Sequence, residues 1–164
     1  MKKQDFLNKL KKEKKIELVE PSEEIKLSYL KKAEDCLKSA KILLNNKLYE
    51  NSTSEAYYSM YNSLLALLFK AGIKSENHSA SIMLFEDLFN SKELAKIITF
   101  AKSERIDKQY YVEAQQITKA TEESCKDMVS EAEDFLVKMK LFISNLSNED
   151  IIFSRKSFEN LFEK

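Results

Sequence analysis

The run ENSTSEAYYSMYNSLLALLFKAG, residues Glu50 to Gly72, constrains this chain most, because its apolar residues do not keep to one face. Wound as a helix, Ala56, Tyr57, Met60, Tyr61, Leu64, Leu65, Leu67, Leu68 and Ala71 cover most of its circumference. An element of that kind needs neighbours on several sides, so the run is predicted to be a central helix. Ser52 and Glu55 have the S-x-x-E spacing of a capping box and set its expected start. Gly72, the only glycine, stands where a left-handed C-terminal cap is wanted.

That single glycine, together with a single proline, leaves too little turn chemistry for a many-stranded sheet. With 164 residues, enough to bury one substantial core, the expectation is one all-α domain. The formal charge balances at 27 basic against 27 acidic residues, so the molecule as a whole is not a general polyanion binder. Lys2, Lys3, Lys9, Lys11, Lys12, Lys14 and Lys15 nevertheless face only Asp5 and Glu13. This basic segment reads as a solvated helix face, with an RNA or membrane-surface contact as the alternative. No apolar run reaches the length of a membrane span, and the charged start does not resemble a secretory signal, which points to the cytoplasm. Cys36 and Cys125 fall on apolar stripes, with one histidine in the chain to join them; they are expected to be buried free thiols, with no metal site.

In chain order, Phe6, Leu7 and Leu10 mark a short helix, followed by an extended strap toward Pro21. Residues 1–20 thus form a basic amino-terminal helix and strap. Pro21 fits the first position of a helix reaching about Asn46, with Leu30, Ala33, Leu37, Ala40 and Leu44 on its inner stripe. The brief link at Asn45 to Lys47 makes that helix an antiparallel neighbour of the central one. After a loop at residues 74–77, a helix starts near His78 or Ser79. Ser91 can cap the next, whose stripe of Leu94, Ile97, Ile98 and Ala101 continues to Arg105. Thr121, Glu122 and Glu123 open a long packing helix through Leu146, which closes a bundle over residues 21–146. Residues 147–164 form a short terminal helix against the bundle or another subunit.

Three kinds of residue can carry chemistry. Arg105 is one of two arginines and sits at the end of a buried stripe, where its rigid fork suits phosphate or carboxylate. Snorkelling or pairing with Glu104 or Asp107 is the plainer alternative. Tyr110 and Tyr111 can stack on a base or serve the core. His78, at a helix start, is expected to be a neutral ring that takes a proton or hydrogen bond, or simply a structural cap.

The motifs Ala56-Tyr57-Tyr58-Ser59-Met60, Gly72, His78-Ser79, Arg105 with Tyr110, and Ala132 with Phe135 occur in the order seen in the HEPN family. Over residues 20–146 the chain resembles its stand-alone archaeal and bacterial branch. The resemblance implies an antiparallel, up-and-down bundle of four to five helices with short terminal helices. It also implies homodimerisation and pairing with a minimal nucleotidyltransferase in a toxin-antitoxin system. Many members are metal-independent ribonucleases in which four to six residues separate an arginine from a following histidine. Here Tyr110, Tyr111 and Val112 occupy those places, and Gln109 replaces the usual Asp. A tyrosine is a poor base at neutral pH, so catalysis is not the leading expectation.

Three functions follow from these readings. The first is nucleotide or RNA binding beside a nucleotidyltransferase, using Arg105, Tyr57, Tyr58, Asn62 and Tyr111. The second is a non-catalytic helical interaction module. The third is a metal-independent endoribonuclease using Arg105, Tyr110 and His78. None of the three calls for a cofactor.

Overall fold

The computed structural model describes residues 2–110 and 120–163, side chains excepted at 106–110. The described residues form an all-α fold with one small strand pair. In order they are α1 (Lys3–Lys12), β1 (Ile16–Leu18), α2 (Glu23–Asn45), α3 (Tyr49–Lys70), β2 (Ile73–Ser75), α4 (His78–Phe89), α5 (Lys92–Tyr110), α6 (Glu122–Asn145) and α7 (Asn148–Asn160). Among the described residues no helix is long and apolar enough to cross a membrane.

The expected central helix is α3, which touches α2, α4, α5 and α6. Tyr57, Met60, Leu64, Leu67 and Leu68 lie fully inside, each large side chain contributing about 1.5–3 kcal/mol by leaving water. Small residues complete its surface: Ser52, Thr53, Ala56, Ser59 and Ser63 are buried, which lets neighbouring backbones come close. The long stripe of α6 packs there through Cys125, Met128, Ala132, Phe135 and Met139.

The capping-box expectation at Ser52 is corrected. Helix α3 begins four residues earlier, after Leu48, whose side chain offers no cap. The Ser52 hydroxyl instead donates to the Ala40 carbonyl of α2 at 2.7 Å. A buried polar group needs a partner wherever it finds one, and here the partner lies across the helix pair. The start of α2 shifts likewise. Ser22 rather than Pro21 makes the boundary, its hydroxyl accepting from the Ile25 N–H at 3.2 Å. At α6 the capping box is real, formed by Thr121 and Ser124. Ser91 precedes α5, but its hydroxyl donates to the Phe89 carbonyl.

Gly72 follows the end of α3 with φ at +69°, the left-handed conformation expected of a glycine there. Beyond it the chain turns into β2, which pairs antiparallel with β1 through Ile16 and Ser75, Glu17 and Lys74, and Leu18 and Ile73. Two more bonds extend the ladder, Val19 N–H to Gly72 O at 2.9 Å and Glu76 N–H to Lys15 O at 2.8 Å. The strap and the loop are therefore a small sheet, fastened by the buried side chains of Ile16 and Ile73. Helix α7 closes this corner. Arg155 Nη1 donates to the carbonyls of Val19 at 2.7 Å and Gly72 at 2.8 Å, and Phe158 is buried.

Candidate functional site

Three elements meet at the amino-terminal half of α3. The helix itself supplies Tyr57, Tyr58 and Tyr61, residues three and four apart that share one side. The start of α4 supplies His78 and Ser79, with Asn77 as cap accepting from the Ala80 N–H at 3.0 Å. Helix α5 supplies Lys102 and Arg105, one turn apart.

Arg105 is half-buried, and its guanidinium lies 5.3 Å from the Tyr57 ring centre and 5.1 Å from that of Tyr58. Its Nη1 donates to the Tyr58 hydroxyl at 2.7 Å. The Nε of the same side chain is buried and has no hydrogen-bond partner. Among the described residues no carboxylate pairs with it. A guanidinium held on aromatic faces with an unused donor is prepared to take an anion. Lys102 donates to the Ser79 hydroxyl, and burial followed by the charge of Arg105 lowers its pKa.

His78 stacks on Tyr61 with ring centres 3.8 Å apart, and its Nδ1 lies 2.6 Å from the Tyr57 hydroxyl. Burial, then the charges of Arg105 and Lys102, push the imidazole down to about 4, so the ring is neutral at physiological pH. Burial raises the Tyr57 phenol, most strongly among its influences, so it keeps its proton. A protonated phenol and a neutral imidazole therefore share this hydrogen bond, which engages Nδ1 and leaves Nε2 as the ring's other nitrogen. Tyr61 in turn shares a bond of 3.2 Å with Ser81, which donates to Ser75 on β2 at 2.8 Å. The ring is thus fixed from both sides.

Of the residues expected at a site, the structure brings together Arg105, Tyr57, Tyr58 and His78. Asn62 turns elsewhere, donating to the Tyr58 carbonyl at 2.8 Å and toward Cys36 Sγ at 3.7 Å. The side chain of Tyr110, and all of Tyr111, lie outside the described residues. Sequence reasoning missed Lys102; its place three residues before Arg105 on one helix was the available signal. Both cysteines are free, Cys125 buried and Cys36 partly so, with burial pushing the Cys36 thiol up to about 11. Among the described residues no group of three or more His, Cys, Asp or Glu gathers as a metal site.

The depressed His78 makes stability depend on pH. Between about 4 and the unfolded value of 6.5 the unfolded chain binds more protons, so stability is whole above 6.5 and declines as pH falls. The shift corresponds to about 3 kcal/mol at most, and screening at a half-buried ring reduces it to about 1–2 kcal/mol. We predict that His78→Gln, which cannot titrate, flattens the decline in denaturation midpoint between pH 7 and pH 4.5. Parallel pH profiles for the two proteins would rule this out.

Compared with known proteins, residues 27–141 match the family model described as HEPN domain. The chain is 32% identical to the "Putative toxin MJ0605" of Methanocaldococcus jannaschii over 66% of this chain and 81% of that protein. It is 28% identical to a "UPF0332 protein" of Thermotoga maritima over 71% of this chain and 89% of that one. With "UPF0332 protein PH1297" of Pyrococcus horikoshii it shares 35% identity over 47% and 58% of the two chains.

Proposed function

This chain belongs to the HEPN domain family, and from that premise we propose that it is the toxin-like member of a toxin-antitoxin pair whose site binds RNA or a nucleotide. The observation that carries the proposal is Arg105: partly buried, seated on Tyr57 and Tyr58, with its Nε unpartnered beside Lys102. Such a pair of cations suits phosphate oxygens, and the flanking tyrosine rings suit a base. The name of the Methanocaldococcus relative supports the toxin assignment. The family resemblance supplies a minimal nucleotidyltransferase as the partner and a homodimer as the working unit.

The site binds rather than cleaves in this reading. No histidine stands four to six residues after Arg105, and the imidazole that α4 brings has its Nδ1 engaged by Tyr57. The second reading, a metal-independent ribonuclease, draws on one fact: His78 joins the cluster that contains Arg105.

Co-expression with a minimal nucleotidyltransferase, followed by size-exclusion chromatography, tests the partner; a stable complex is expected. Fluorescence anisotropy with a short labelled RNA tests the ligand, and incubation of that RNA with chelator tests cleavage. Binding without cleavage supports the proposal. Metal-independent cleavage that Arg105→Ala abolishes would replace it with the ribonuclease reading, and neither binding nor complex formation would defeat both.

A further inference from the structure

The geometry points to a terminal phosphate monoester, on a mononucleotide or an RNA end, as the group this site takes, in preference to an internal phosphodiester. The inference rests on the anion-binding reading above and narrows it.

Charge is the first argument. Lys102 and Arg105 stand one turn apart on α5, and both lower the proton affinity of His78. Among the described residues neither cation forms an ion pair with a carboxylate. An internal phosphodiester brings one negative charge, whereas a terminal monoester brings close to two at neutral pH and three strong acceptor oxygens. The monoester is the better match for two cations.

The donor set is the second argument. Arg105 Nε is an unused donor that is buried. The first-turn N–H groups of α4 at His78 and Ser79 lie outside the helix's own ladder and add the positive end of its dipole. These groups donate, and a terminal phosphate, with three free oxygens, can accept from more of them than an internal one with two.

The test compares one RNA sequence with a 5′-phosphate, a 3′-phosphate or hydroxyl ends, alongside AMP, adenosine and inorganic phosphate as competitors, against the full chain. The expected result is about tenfold or more tighter binding for a phosphorylated end, or for AMP over adenosine. That gain should vanish in Arg105→Ala and in Lys102→Met, with folding checked by circular dichroism. If only AMP gains, the ligand is a free nucleotide; if only RNA gains, it is an end. Equal affinity for phosphorylated and hydroxyl ends, with both weakened by either substitution, would overturn the monoester and leave the anion site standing. Absence of binding, or binding indifferent to both substitutions, would overturn the inference together with the reading beneath it.

Discussion

Gly72→Ala is expected to lower the free energy of unfolding by about 3–4 kcal/mol, combining left-handed strain with overpacking. The backbone at Gly72 has φ +69°, which a side chain rarely adopts. Even without that strain there is no room: a Cβ would stand 2.5 Å from the Val19 carbonyl oxygen and 2.9 Å from Pro21 Cδ. Arg155 Nη1, at 2.0 Å, would have to leave, and with it the bonds joining α7 to the strap and turn. The arginine can swing aside, but the Val19 oxygen moves only if β1 moves. For a chain of this size the loss corresponds to a fall in melting temperature of roughly 10 °C. Urea denaturation checks it; a decrease below about 1 kcal/mol would mean that the strap yields freely to a methyl group.

Arg105→Ala is expected to weaken RNA or nucleotide binding about 10- to 100-fold at fixed salt, the range of one or two charge-assisted hydrogen bonds. The fold should survive, since Arg105 and Tyr58 are both only partly buried. Arg105→Lys separates charge from shape. It restores the positive charge but not the planar fork that lies over two tyrosines while donating to Tyr58, so recovery should be partial. Anisotropy titrations of the three proteins decide the matter. An alanine variant that binds within twofold of the parent would remove Arg105 from the site.

Much of the fold was legible because it rests on periodicity. A helix apolar around most of its surface must be central, and α3 is; a lone glycine after such a helix reads as its stop, and Gly72 is. The sheet was not legible, because its strands are three residues long and Glu17 pairs with Lys74 across the whole of α2 and α3, with no hairpin signal between them. Ser52 misled for a related reason: the S-x-x-E spacing is a local signature, while the partner of the hydroxyl, Ala40, belongs to another helix.

The candidate site divides along the same line. Residue chemistry marked Arg105, His78, Tyr57 and Tyr58, each worth singling out on its own. Their convergence depends on the packing of α3, α4 and α5, which no pattern within one segment encodes. Asn62 shares the helix of Tyr58 but faces α2, a difference of one side-chain direction that spacing alone did not resolve. Lys102 was overlooked because a lysine among many draws no notice until a helix sets it beside an arginine.

The turn at Gly72 also sets a measure. From Tyr57 to Gly72 the chain climbs fifteen residues of α3 and its cap, about 22 Å at the helical rise. From Gly72 to His78 it returns over six residues, through strand β2 and the extended Asn77, about 20 Å at the rise of a strand. The two paths are commensurate, and this is why a histidine six positions past the glycine arrives level with a tyrosine fifteen positions before it. The number of residues on the descending path is therefore constrained more tightly than their identities: Lys74 and Glu76 can vary, but the count between glycine and histidine cannot.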